Sequence, residues 1–249
     1  MSEHLKIIYE DQGIVRLEID KPPINALDMP MVQAFLDVLD KIETDDSLRC
    51  MVIIGTGRSF CSGEDLKTLG DTGEDQDLFT KLVDRIEATR IPVIAAINGF
   101  CIGGGMELAM CCDLRLASSN ASIACAGVNL GLLGGTYRLP KIIGEAYAKR
   151  LLYTGERVGA DVALQYGFVT SVHEPEALLD AAMQLARRIA SRAPLSVEAT
   201  KRMVSRMDLP RTEVDAWFDK ELKALIKTQD HEEAMVAFKE KRDPIFKRV

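Results

Sequence analysis

No C-x-x-C spacing occurs in this chain, and its three histidines, His4, His173 and His231, stand alone. A zinc-type centre needs clustered ligands, so no bound metal is expected. No apolar run reaches membrane-spanning length, and the opening residues, MSEHLKIIYEDQG, lack a basic flank followed by an apolar core. The expectation is a cytoplasmic protein with no membrane partner. Basic residues are in deficit, 31 Lys and Arg against 38 Asp and Glu, for a net charge of −7. That balance argues against non-specific nucleic-acid binding. Around Gly103 to Gly105 there is no G-x-G-x-x-G, which excludes a dinucleotide-binding reading of that run. The six cysteines sit in apolar or glycine-rich surroundings, two of them adjacent, and read as reduced, buried thiols.

What the chain does hold is material for a full core: 249 residues, 47% of them hydrophobic, fit one large domain. Residues 5–9 and 14–19 read as a hairpin around Asp11-Gln12-Gly13, with Val15, Leu17 and Ile19 alternating toward one face. Asp28 followed by Pro30 opens a helix that carries Val32, Phe35, Leu36, Leu39 and Ile42 at helical spacing. Residues 50–54 form a buried strand and 78–89 an amphipathic helix, while the acidic stretch 71–77, DTGEDQD, reads as a mobile surface loop. Further strands are expected at 114–117, 122–124 and 168–172, and helices at 139–153 and 161–166. From Pro175 the pattern is helical, broken near Pro194 and Pro210. The fold class is α/β, with a β-containing core over 1–190 and a helical region over 191–249 of one continuous unit.

The stretch at 92–117, PVIAAINGFCIGGGMELAMCCDLRLA, organises the rest. A strand at 93–97 runs into Gly99 and then Gly103, Gly104 and Gly105, after which a helix opens with Met106 and Glu107. Three glycines at a helix start are costly unless something needs bare backbone there. Amides at such a start are unsatisfied donors, so the turn can hold developing negative charge, and Glu107 is a candidate acid or base beside it. The plainer reading is a tight strand–helix crossing with a dipole-friendly glutamate. The strand at 50–54 likewise runs into a glycine-punctuated loop, GTGRSFCSGEDL, so the arrangement occurs twice.

Five segments carry a resemblance along nearly the whole chain: PPINAL at 22–27, RSFCSGEDL at 58–66, IPVIAAINGFCIGGGMELAMCCDLRLA at 91–117, LYTGERVGADVALQYGFV at 152–169 and EEAMVAFKEKRDPIF at 232–246. Together they resemble the crotonase (enoyl-CoA hydratase/isomerase) superfamily. The resemblance implies a right-handed spiral of ββα turns with a C-terminal helical region used for trimerisation, and a homotrimer or homohexamer. It implies a coenzyme A thioester as substrate, with no other cofactor. Carried over by position, the backbone N–H groups of Glu64 and Gly104 form the oxyanion hole that stabilises a thioester enolate. Arg58, Ser62 and Lys67 become coenzyme A neighbours, as do Phe238 and Lys241 on a helix that closes over the cofactor. The alternative for these cations is ordinary solvated surface. A further family contact, a lysine, falls on Pro22, with Lys21 adjacent.

The sequence departs from the hydratase pattern at one carboxylate. Glu107 is retained, but the second glutamate has become Gly127, and the loop that follows is shortened to Gly131-Leu132-Leu133-Gly134-Gly135-Thr136. Hydration needs a water held between a base and a proton donor. Glu64 could supply the second carboxylate; Glu107 could act alone as in a double-bond isomerase; or the chemistry could be decarboxylation or thioester hydrolysis assisted by Asn129, Tyr137 or a water. A crotonase-fold protein that binds acyl-CoA without turning it over is the non-enzymatic alternative. Tyr137 reads as a partly buried loop residue, Asp113 as a mimic satisfying local backbone donors, and His173 as structural.

Overall fold

A computed structural model describes residues 2–64 and 74–249, leaving out the side chains of 74–77. The N-terminal hairpin, β1 (Leu5–Glu10) and β2 (Ile14–Ile19), pairs antiparallel as the alternation predicts. Helix α1 (Met29–Thr44) starts where Asp28 accepts a hydrogen bond from the Met31 N–H, 3.0 Å away. Strand β3 (Cys50–Gly55) is buried along its whole length. A parallel strand covered on both faces needs apolar residues at every position, which the run CMVIIG supplies.

Beyond β3 the chain winds in repeated turns, each giving one strand to each of two sheets. The first turn holds β3, β4 (Ser59–Cys61) and α2 (Glu74–Ala88); the second holds β5 (Val93–Ile97), β6 (Phe100–Ile102) and α3 (Gly104–Met110). The third holds β7 (Leu114–Ser118), β8 (Ser122–Ala124), a 3-10 turn at Ala126–Leu130 and α4 (Leu139–Thr154). Strand β9 (Val158–Gly159), α5 (Ala160–Gln165), β10 (Ser171–His173) and α6 (Leu178–Ala190) follow, and α7 (Pro194–Val204), α8 (Arg211–Leu225) and α9 (Gln229–Glu240) end the chain. The larger sheet runs β1-β2-β3-β5-β7-β10, and the smaller β4-β6-β8-β9. Pairing is parallel from β2 through β10 in the first sheet and from β4 through β8 in the second. This is the ββα spiral expected.

Alternate side chains of β3 serve two cores. Met51 and Ile53 face the interior with Phe35, Leu39 and Phe60, while Cys50, Val52 and Ile54 face α6 through Ala182, Met183 and Ala186. All six cysteines are buried and unpaired. Desolvation pushes the thiols of Cys50 and Cys61 up to about 12, which keeps them protonated and unreactive.

Some boundaries differ from the sequence reading. Helix α2 begins at Glu74, inside the acidic stretch read as loop, and residues 71–73 of that stretch lie outside the described residues. The last strand begins at Ser171 rather than 168, because the backbone of Phe168 is engaged elsewhere. Its N–H donates to the Ala163 carbonyl at 2.8 Å, and its carbonyl accepts the Arg115 Nε–H at 2.7 Å. The short strands β4, β6 and β9 were not expected at all.

The tail is fastened through a buried carboxylate. Glu198 of α7 is 4% exposed and receives Arg90 at 2.8 Å and Arg248 at 2.9 Å. Removing the acid leaves two desolvated guanidinium groups facing each other. Glu198→Ala is expected to destabilise the fold by about 3 kcal/mol or more in urea unfolding. A loss below about 1 kcal/mol, the size of an exposed ion pair, would contradict this account.

Candidate active site

The two glycine turns meet because β4 and β6 are neighbours. Ser59 pairs with Phe100 and Cys61 with Cys101, so both chains leave the small sheet at the same edge. Each then turns through a glycine with positive φ, +94° at Gly63 and +56° at Gly103. A Cβ on Gly63 would lie 2.7 Å from the Gly104 nitrogen, and one on Gly104 would lie 2.9 Å from Gly63 Cα and 3.4 Å from the Glu64 nitrogen. Bare backbone therefore touches bare backbone, and the amides of Glu64 and Gly104 lie side by side. At Gly105 a side chain would land on the Cys61 carbonyl oxygen. That contact explains why residue 105 carries no side chain; α3 itself starts at Gly104, two residues before the start expected at Met106, because Gly103 is already its cap. The Gly103 carbonyl already accepts the Met106 and Glu107 amides at 2.9 and 3.1 Å. As the first amide of the helix, Gly104 N–H has no acceptor within it.

Two asparagines that sequence reasoning gave no role hold the loop leading to Gly63. Buried Asn25 donates to the carbonyls of Thr56 and Ser59, 3.0 and 2.7 Å away. Asn98 accepts the Gly55 N–H at 3.1 Å and donates to the carbonyls of Gly57 and Ser59. The Leu27 N–H closes the far side on the Gly63 carbonyl at 2.8 Å. The available signal was an Asn in a two-proline loop and another directly before a glycine, both positions where a side-chain amide can stand in for backbone.

Glu107 lies in the first turn of α3, and its side chain is 20% exposed. One carboxylate oxygen accepts the Gly135 N–H; the other lies 3.8 Å from an Arg138 nitrogen. Arg138, 13% exposed, is itself held by α2, through Asp84 at 2.6 Å and Glu87 at 2.7 Å. Burial would lower the Arg138 pKa, but the hydrogen bonds from Glu87 and Asp84 outweigh it and hold the guanidinium above its usual value. Sequence reasoning missed both Gly135 and Arg138 as neighbours of Glu107.

Backbone packs closely against Gly127, the position that the resemblance matches to a second carboxylate. A Cβ on Gly127 would lie 3.1 Å from the Leu132 carbonyl oxygen and 3.4 Å from the Gly134 nitrogen, and the Gly127 carbonyl accepts the Leu132 N–H at 2.9 Å. The loop over 131–135 thus crowds that position and sends the Gly135 amide to Glu107. Beside it, Cys125 is pushed up to about 12 by burial and by the negative charge of Glu107. Asn129 is spoken for, donating to the Gly155 carbonyl at 3.3 Å. Tyr137 is 65% exposed, contrary to the partly buried residue expected, and its hydroxyl accepts a hydrogen bond from Lys141. The Lys141 ammonium lies over its ring, 4.3 Å from the centre, and covers too little of it to bury it.

Glu64 is partly buried and forms a one-residue bridge with Leu27. Arg58 lies near Pro23, its Nε 3.4 Å from that carbonyl, and Ser62 immediately precedes Gly63. Lys67 lies outside the described residues. Lys21, the neighbour of Pro22, pairs with Asp28 at 2.8 Å. Phe238 is on α9 with 81% of its surface exposed, and Lys241 ends that helix in the left-handed conformation. Asp113 accepts the Val93 N–H and Lys201, both at 2.7 Å, so its backbone donor comes from β5 rather than from its own turn. His173 hydrogen-bonds Ser171. Among the described residues no three His, Cys, Asp or Glu side chains converge as a metal would require, and no helix is long and apolar enough to cross a membrane.

Paired amides beside a fixed carboxylate can hold an oxygen as it gains negative charge while a proton moves at a neighbouring atom. Comparison with known proteins gives relatives along nearly the whole chain. A crotonyl-CoA hydratase of Syntrophomonas wolfei is 37% identical, with 96% of each chain covered. An (E)-benzylidenesuccinyl-CoA hydratase of Thauera aromatica is 38% identical over 90% of this chain and 91% of its own. The crystal structure of an enoyl-CoA hydratase from Bacillus anthracis superposes with a TM-score of 0.96 at 31% identity, over 99% of this chain and all of that one. Residues 9–248 match the enoyl-CoA hydratase/isomerase family, and the chain belongs to it.

Proposed function

We propose that the protein is an enzyme that takes an enoyl-CoA, stabilises a thioester enolate, and hydrates or isomerises the double bond. One observation carries the reading: the Glu64 and Gly104 amides lie side by side at the start of the helix that bears Glu107. In it the thioester oxygen sits between the two amides, which oppose its developing charge in the transition state more than in the ground state. Glu107 moves the proton. In hydration, water oxygen bonds to Cβ and a proton is added at Cα; in isomerisation, a proton leaves one of Cα and Cγ and returns to the other. Glu64 is the proposed second carboxylate for hydration. The backbone packed against Gly127 favours isomerisation as the second reading, since one carboxylate suffices for a proton returned to the same substrate.

Arg58, Ser62, Lys67, Phe238 and Lys241 are the proposed coenzyme A contacts, the last two for a cofactor held by a neighbouring copy. A homotrimer or homohexamer is the proposed assembly, with the helices of 191–249 as its contact region. Apolar Phe218 and Leu222 exposed on α8, with Ile226 exposed just past its end, support it. The proposed setting is the cytoplasm.

Incubation with crotonyl-CoA and with a 3-enoyl-CoA, followed by absorbance of the conjugated thioester, tests the reading. Loss of absorbance with the first supports hydration, and gain with the second supports isomerisation. No change with either, alongside tight coenzyme A binding, would sink both and leave the silent binder.

A further inference from the structure

The mechanism above uses the carboxylate of Glu107 but not what surrounds it. A carboxylate on a short helix has three side-chain torsions to settle, and a base works only when its oxygens face the proton to be moved. One oxygen of Glu107 is tied to the Gly135 N–H, and the other faces a guanidinium nitrogen 3.8 Å away. That guanidinium is not a loose surface cation. Its side chain is 13% exposed, and its Nε donates to Glu87 at 2.9 Å while a terminal nitrogen donates to Asp84 at 2.6 Å. Arg138 is thereby turned so that its remaining terminal nitrogen faces α3. Helix α2, which supplies both acids, also lays the ring of Phe79 against Gly104, 3.2 Å from where a Cβ would lie.

We propose that Arg138 is a positioning residue for Glu107: braced by Asp84 and Glu87 of α2, its charge fixes the carboxylate that moves the proton. This rests on the reading of Glu107 as the proton-transferring group. Arg138 touches no reacting atom in this scheme. It acts through Glu107 alone.

The competing account is that Arg138 merely straps α2 to α4. Three variants separate the two. Arg138→Gln removes the charge and the strap; Asp84→Ala/Glu87→Ala removes the strap and keeps the charge; Arg138→Lys keeps a charge of shorter reach. With whichever enoyl-CoA the wild type turns over, Arg138→Gln is expected to lower kcat by about 10-fold to 100-fold with KM within about 3-fold of wild type. Arg138→Lys should recover part of that loss. The double alanine variant leaves the charge in place but unbraced, so it should lose thermal stability comparably to Arg138→Gln and lower kcat by less than Arg138→Gln does, about 3-fold to 10-fold. Equal loss of kcat in the double variant and in Arg138→Gln would make Arg138 a strap and overturn the inference, as would wild-type kcat in Arg138→Gln. Crystal structures of wild type and Arg138→Gln give a readout that needs no turnover. Glu107 leaving its Gly135 contact in the variant supports the inference, and Glu107 unmoved with unchanged occupancy overturns it. A wild type silent toward every enoyl-CoA sinks the functional reading, and the pair of structures still decides the role of Arg138.

Discussion

Glu107→Gln is expected to lower kcat by about 100-fold to 10,000-fold while leaving KM for the acyl-CoA within a few-fold. The substitution is nearly isosteric. Its carbonyl oxygen can still accept the Gly135 N–H, so the loop over 131–135 keeps its anchor. What goes is the negative charge facing Arg138 and, with it, the ability to take a proton. Binding of the nucleotide and pantetheine portions draws on none of this, and coenzyme A affinity should be retained. Steady-state kinetics beside calorimetric titration with coenzyme A would check both halves. Wild-type kcat in this variant would remove Glu107 from the chemistry, and an equal loss in Glu64→Gln would make the two glutamates a working pair.

Gly63→Ala should cost about 100-fold to 1,000-fold in kcat, the range seen when an oxyanion donor is lost. Two effects combine at this position. The residue has φ +94°, which strains any side chain, and the new methyl would lie 2.7 Å from the Gly104 nitrogen. The turns must part, and both amides lose their common aim. Gly167→Ala provides the control, because φ is +79° there with no atom within 4 Å of the added carbon. Gly167→Ala should cost about 1 kcal/mol in stability through backbone strain alone. It should leave kcat near wild type. If Gly63→Ala lowers stability as Gly167→Ala does and leaves kcat untouched, the apposed amides are not where the oxygen binds.

Much of this was legible in the sequence, for reasons that differ by element. The helix at Asp28, the buried run at 50–54 and the hairpin around Gly13 follow from local rules, since capping, burial on both faces and alternation all act over a few residues. The repeated strand and glycine turn was legible for the same reason. The small sheet was not. Its strands Ser59–Cys61 and Phe100–Ile102 are too short to display a period, and what makes them strands is each other. Helix α3 starting at Gly104 runs against intrinsic propensity, and the glycine at 105 answers to the Cys61 carbonyl, far away in sequence. Arg138 was invisible as a neighbour of Glu107 for a like reason: an exposed-looking basic residue in YRLPK is held in place by Asp84 and Glu87, which lie on another helix. The absent carboxylate at Gly127 was plain to see, but not that the Leu132 carbonyl packs against that glycine.

The spacing between the two apposed amides is inherited from the distance between neighbouring strands, and no side chain of the site sets it. Asn25 and Asn98 hold the loop from behind, and Gly63, Gly104 and Gly105 contribute only backbone. A scaffold of this kind separates two things that evolution usually has to change together. The charge-stabilising half can persist unaltered while residues at 64, 107, 127 and 138 are exchanged, so new reactions become reachable in single steps. By that logic the loop at 131–135, which packs against Gly127 and holds Glu107 through Gly135, is where a change of length would reach the carboxylate without touching the apposed amides.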